Sequence, residues 1–179
     1  MATTSPPRLR LSAAERRDAL VHAAVRHFAQ TGLHGTAVSA ITDEVGITQP
    51  YAFSLFETKK GLFLAAVEYS FERVEQAFRA AAGAAPAEER LQAMGAAYDG
   101  LLADRDLLLL QHQAYAACGD PDVREVVRAA YRHLYEVVRD LLGADAEALR
   151  AFFAKGMLMN VAAAMDWPAL VQDESWLEC

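Results

Sequence analysis

The stretch from Thr36 to Leu62, TAVSAITDEVGITQPYAFSLFETKKGL, constrains this chain more than any other. Its punctuation allows two short helices around a tight turn, then the start of a third. The first would run from about Val38 to Val45, with Ile41 and Val45 four residues apart on one face. Gly46 permits the left-handed backbone that ends it, and Ile47 plugs the corner. Thr48 can cap the second helix, and Pro50 suits its first turn, where backbone donors have no intrahelical partner. This is the form of a DNA-reading helix-turn-helix. Gln49, Tyr51 and Ser54 would face outward, with Phe53 and Phe56 as anchors beneath.

Thr58 is placed to cap the next helix, and Lys59 and Lys60 follow at once. Two cations in a first turn oppose the helix macrodipole, which favours acids there. A local rule broken this way is expected where an external ligand compensates, and a phosphate is the natural candidate. The opposing reading is that both lysines are simply solvated.

Around this segment the chain reads as all-α. Only six prolines and ten glycines interrupt 179 residues, and no stretch alternates with period two for long enough to make a sheet. Ser12 and Glu15 form a capping-box pattern for a first helix ending at Gly32, with Leu20, Ala24 and Phe28 inward. From Lys59, the apolar series Phe63, Val67, Phe71, Val74 and Phe78 predicts a helix to about Ala82. Its length of roughly 36 Å would link a head to a body. Four more elements are expected: about Ala87–Ala103, with Leu91, Met94, Tyr98, Leu101 and Leu102 inward; about Asp104–Cys118; Pro121 to about Leu142; and a helix capped by Asp145 that runs to about Asp166. Trp167-Pro168 breaks the chain before a short C-terminal segment. The expected division is a mobile arm at 1–11, a three-helix head at 12–58, and a helical body at 59–179.

Charge follows the same division. Residues 1–60 hold seven Lys/Arg and five Asp/Glu, a balance of +2, while the remainder hold ten and nineteen, a balance of −9. An acidic body with a mildly basic head suits a protein whose head alone touches DNA, and disfavours lying on an anionic membrane. Cys118 and Cys179 form neither a metal spacing nor a disulfide framework, so a reducing cytoplasm is expected. No signal peptide or membrane span is read, because LLLL at 107–110 is far too short.

With these pieces placed, ALVHAAVRHFAQTGLHGT, VSAITDEVGI and TQPYAFSLFETKKGLF over about residues 15–67 resemble the TetR family of bacterial transcriptional regulators. Beyond residue 70 only length and helical layout are similar. The resemblance implies a homodimer whose two heads enter successive major grooves of a near-palindromic double-stranded operator. It also implies a small molecule in the body that releases the DNA, and no cofactor. Carried onto this chain, the DNA-binding residues are Thr36, Thr48, Gln49, Pro50, Tyr51, Phe53, Ser54 and Lys59. Gln49 can pair bidentately with adenine, and Pro50 or Tyr51 can pack on thymine methyls. The family usually has tyrosine at the position of Phe53, so a phosphate contact is lost. Leu55, Ser39 and Ala40 also replace commonly polar residues. Arg8 and Arg10 of the arm are candidates to compensate, with a solvated tail as the competing reading.

For the effector, a cluster of Met94, Tyr98, His112, Tyr115, Tyr131, Tyr135 and Met157 is a candidate cavity lining. The alternative is that these aromatics fill the core and that Gln111 and Gln113 point to solvent. Leu134, Leu141, Leu149, Phe153, Gly156 and Asn160 are candidates for a dimer face; completing the monomer's core is their other use. An enzyme is disfavoured, since no Glu-x-x-His pair, phosphate loop or serine elbow occurs. The remaining alternatives are a helical interaction module without DNA contact and, within the family, an activator or a sensor acting through Cys118.

Overall fold

The computed structural model describes residues 12–172, and every element in that span is helical. Arg8, Arg10 and Cys179 lie outside the described residues. Helix α1 (Ala13–Gly35) begins with the full capping box: Ser12 Oγ accepts from Glu15 N at 3.1 Å, and Glu15 Oε2 accepts from Ser12 N at 2.7 Å. Gly32 breaks its helical path at φ 67°. Helix α2 (Val38–Val45) ends on Gly46, which is left-handed at φ 73°. Helix α3 (Gln49–Phe56) and helix α4 (Lys59–Ala84) follow. At 26 residues α4 is roughly 39 Å long, and its buried stripe of Phe63, Val67, Phe71, Val74 and Phe78 runs from head to body as the spacing predicts.

The body adds α5 (Arg90–Leu102), α6 (Arg105–Ala116), α7 (Pro121–Leu142), α8 (Ala146–Ala164) and the short α9 (Ala169–Gln172). Asp120 caps α7 ahead of its N1 proline, Gly143 ends it, and Asp145 caps α8 through the amides of Glu147 and Ala148. Three expected boundaries move. Residues Ala87–Glu89 and Ala117–Gly119 form 3-10 turns rather than extending α5 and α6, and α8 stops at Ala164. Leu91, expected inward, is 49% exposed. It falls in the true first turn of α5, at the rim of the body.

One apolar core joins the two parts. Phe28 of α1 meets Phe63 of α4 edge-on at 5.0 Å, and the same cluster continues through Met94, Leu110 and Leu149. Helix α1 packs against α6 as well as α4 and α2, so the first body helix after α5 lies directly on the head.

Candidate DNA-reading surface and body cavity

The exposed face of α3 presents Thr48, Gln49, Pro50, Phe53 and Ser54, with Tyr51 half-buried. Ala52 and Phe56 are the anchors beneath. Phe53, expected to share that role, is 37% exposed and stands on the outer face. Thr48 occupies the cap position without a side-chain cap bond, leaving its hydroxyl outward. Ser54 Oγ donates to the Tyr51 carbonyl at 2.7 Å. Arg16 of α1 lies over the Tyr51 ring at 5.7 Å, and Arg17 over the Phe56 ring at 4.9 Å. These two arginines bring cations to the edge of the reading surface. The only sequence signal for them is the Glu15-Arg16-Arg17 run at the start of α1.

Two residues expected to meet DNA form hydrogen bonds to the chain itself. Thr36 is 4% exposed, and its hydroxyl bridges the Gly32 carbonyl (2.8 Å) and the Thr31 hydroxyl (2.7 Å). Its side chain fastens the end of α1 and does not face outward. Lys59 Nζ donates to the carbonyls of His34 (3.0 Å) and Thr36 (2.7 Å). Lys60 Nζ pairs with Asp120 (2.8 Å) and Asp122 (2.7 Å) at the start of α7. The broken macrodipole rule thus has an internal compensation: both ammonium groups meet acceptors of the chain itself, and neither is simply solvated.

The turn between α3 and α4 is under backbone strain. Glu57 sits at φ 61°, ψ −49°, and the Thr58 amide donates back to the Phe56 carbonyl at 2.6 Å. This is a γ-turn of the rarer, strained hand. Thr58 then caps α4 by accepting from Gly61 N at 2.9 Å. A Cβ at Gly61 would run into the Phe56 carbonyl, so this corner requires glycine for space. Glu44 braces α2 against α1 through Arg26 and through His27, whose Nε2 lies 2.9 Å away. The Arg26 hydrogen bond holds the Glu44 carboxyl below the usual glutamate range.

The body encloses a cavity of about 770 Å³ between α4, α5, α6, α7 and α8. Tyr98, Tyr115, Tyr131 and Met157 line it. Met94 is instead fully buried in the core, His112 turns its Nδ1 to the Leu108 carbonyl (3.1 Å), and Tyr135 borders a separate shallow groove with Cys118 and Arg128. Phe71, Phe78 and Phe152 supply much of the remaining wall. Gln111 and Asn160, which the sequence pattern does not single out as cavity residues, are its polar liners. Burial pushes the Tyr98 hydroxyl up to about 12 and raises that of Tyr115 as well.

Most of the residues expected at a dimer face pack within their own chain. Leu134, Leu149 and Asn160 are buried within their own chain, Phe153 is half-buried against Tyr131 and Tyr135, and Gly156 borders the cavity. Leu141 is half-buried and packs on the same core. Helix α8 is apolar on two faces, and the chosen stripe is the inner one. Its outer face carries Ala154, Leu158, Val161 and Met165, with Val161 and Met165 exposed.

Residues 20–66 match the family model of the bacterial regulatory proteins of the tetR family. Among solved structures, a candidate transcriptional regulator from Pseudomonas aeruginosa PAO1 is 26% identical, with a TM-score of 0.68 over 94% of this chain and 91% of the other. A TetR-like transcriptional regulator from Rhodococcus sp. RHA1 is 23% identical, with a TM-score of 0.64 over 87% and 85%. The fatty acid degradation regulator of Bacillus halodurans is 18% identical, with a TM-score of 0.69 over 87% and 85%. No curated protein matches the chain by sequence. A helix-turn-helix head carried on an all-helical body defines the class, a DNA-binding transcriptional regulator. The head thus matches the tetR-family model over residues 20–66, and the fold of most of the chain is similar to that of these regulators.

Proposed function

We propose that this regulator is a homodimeric repressor, acting in the cytoplasm, that leaves a near-palindromic operator when a small, mostly apolar molecule enters the body. In this reading residues 12–58 are the reading head, and the ligand and dimer body starts at residue 59. Gln49, Pro50, Tyr51 and Phe53 meet base edges, while Thr48, Ser54 and the neighbouring Arg16 and Arg17 meet phosphates. Lys59 holds the end of α1, and any phosphate contact it makes uses what remains of its ammonium.

The observation that carries the reading is the double attachment of α6. Gln111 on this helix lines the cavity, while Gln113 lies against Gly32 and donates to the Ala29 carbonyl at 3.5 Å. At the other end, Asp106 accepts from Gln30 of α1 at 3.2 Å. A molecule that displaces α6 therefore acts on α1, which supports α3. The second copy would seat on the outer face of α8. Burial of Leu158, Val161 and Met165 against their equivalents would form an intersubunit helix pair around one two-fold axis.

The first test is binding to the DNA immediately upstream of the protein's own gene at two salt concentrations, with Gln49→Ala alongside. Selective binding that weakens with salt and falls roughly 10-fold or more in the variant supports base reading, since a bidentate pair gives about 1–3 kcal/mol of discrimination. A failure there, repeated in a genome-wide selection, would leave an interaction module as the better reading. Sedimentation of Val161→Glu gives the dimer test: the proposal expects monomers, and an unchanged dimer would place the interface elsewhere.

A further inference from the structure

The inner end of the cavity holds three polar side chains in one connected network. Tyr98 Oη donates to Asn160 Oδ1 at 2.7 Å, and Asn160 Nδ2 donates to Gln111 Oε1 at 3.3 Å. The Met157 sulfur lies 3.9 Å from Asn160 Nδ2, a contact that suits a donor and fixes the orientation of that amide. The Tyr98 hydroxyl also lies 3.3 Å from Gln111 Oε1, so both Tyr98 and Asn160 Nδ2 aim a donor at that oxygen. The network ends on the Gln111 Nε2 group, for which no described residue is an acceptor. Gln111 is only 6% exposed and lines the cavity. Among the described residues the sole walled-off, unpartnered side-chain atom is Arg90 Nε, so Gln111 Nε2 is open to the void. Buried polar groups are rarely left without a partner.

Charge around the cavity narrows what can complete the network. Its only charged liners are Asp99 and Lys155, both exposed and therefore at the mouth. No cation or carboxylate stands beside Gln111 or Asn160, which is 1% exposed. An anion or ammonium brought to that depth would lose its hydration without gaining a counter-charge. A fatty-acid-like molecule held at Lys155 would instead press its tail against the polar network. The ring walls nearby, Phe78 with Tyr98 at 5.7 Å and with Phe152 at 5.5 Å, favour a flat or aromatic body.

We infer that the effector is an uncharged molecule with a mainly aromatic body, which enters acceptor-first and places a carbonyl-type oxygen on Gln111 Nε2. The inference rests on the cavity reading above and specifies its chemistry. Gln111 is the selecting residue, and Tyr98 and Asn160 orient it.

The experiment uses the full chain and N-phenylnaphthylamine, a neutral fluorophore, as the probe of cavity occupancy. Three matched competitors follow: benzophenone, diphenylmethane, which lacks the acceptor, and benzoylbenzoate, which adds a charge. The expected order is benzophenone ahead of diphenylmethane by about fivefold, the worth of one net hydrogen bond, with benzoylbenzoate last. In Gln111→Met, of similar length and shape, that preference should vanish while the probe still binds. If the probe binds but diphenylmethane competes as well as benzophenone, the inference fails and the cavity reading stands. A lead for benzoylbenzoate would overturn neutrality and move the head group to Lys155. Preference surviving in Gln111→Met would overturn the role of Gln111. No probe binding at all would remove the cavity reading, and this inference with it. Should the variant not fold, the competitor series on the parent chain still decides.

Discussion

In the head, the polar side chains around α1 find partners within the chain, whereas beside the body cavity one polar network stops at a void. Lys59 reaches two carbonyls and Thr36 fastens the end of α1, while Glu44 ties α2 to α1 through Arg26 and His27. The Tyr98–Asn160–Gln111 chain, by contrast, ends with an unused donor facing the cavity. A head built on backbone acceptors has one geometry, which a reading helix needs. A body network left with an unused donor has room for one more partner, which the proposed effector would supply.

The same substitution made in both regions should break or sustain this contrast. Gly61→Ala places a methyl against the Phe56 carbonyl, a backbone group that cannot turn aside. Overpacking of this kind costs about 1–3 kcal/mol, and thermal unfolding should show it together with lost DNA binding. Gly95 borders the cavity within α5, and a Cβ there meets nothing within 4 Å. Gly95→Ala should therefore raise stability by about 0.5–1 kcal/mol, the usual gain inside a helix. Equal signs for the two would end the contrast.

Lys59→Met probes the head alone. It leaves the His34 and Thr36 carbonyls without their charged donor, and bonds to charged groups contribute about 1.5–3 kcal/mol. The unfolding midpoint in urea should fall accordingly. The dependence of DNA affinity on salt then separates two uses of this lysine. A purely structural Lys59 leaves the slope of log affinity against log salt unchanged, whereas a phosphate contact lowers it by about 1. A smaller effect is expected at Glu57, whose positive φ strains any residue with a side chain. Glu57→Gly should stabilise by up to about 1 kcal/mol, since that strain amounts to about 1–2 kcal/mol and glycine loses more freedom on folding. A destabilised variant would show that the carboxylate, not the turn, matters there.

How much of this was legible depended on the range of the interaction. Ser12 with Glu15, Asp120 with Pro121, and Gly143 with Asp145 are local signals, and the helices start or stop where they say. The bonds of Lys59 and Thr36 within the chain were not legible because their acceptors are carbonyls, which every residue has and no sequence marks. Phe53 was placed inward because α3 is only eight residues long, too short for spacing to choose between Phe53 and Ala52 as the partner of Phe56. On α8 the difficulty was the reverse. An apolar residue is available on either face, so periodicity cannot say which face meets the core. Tyr98, Tyr115, Tyr131 and Met157 were legible as a polar-tipped cluster on neighbouring helices. Gln111 and Asn160 were not, because two amides 49 residues apart reveal a shared network only when α6 and α8 are packed.

The last and smallest effect tests whether charge adds to the packing of α4 against α7. Lys60, in the first turn of α4, holds Asp120 and Asp122 at the start of α7. Its hydrogen bond keeps the Asp120 carboxyl below the ordinary aspartate range, and the two carboxylates raise the lysine in return. A carboxyl lowered on folding adds stability above its unfolded pKa and loses it as pH falls through the lowered value. Lys60→Met should therefore be slightly less stable than the parent at neutral pH, and the two should converge in acid as Asp120 protonates. The pair is exposed, so added salt should shrink the difference as well. The alkaline side carries no such effect until lysine itself titrates. A gap between the two proteins that persists unchanged into acid would mean that the alkyl stem of Lys60, not its charge, joins α4 to α7. In that case the packing of α4 on α7 would owe nothing to this ion pair.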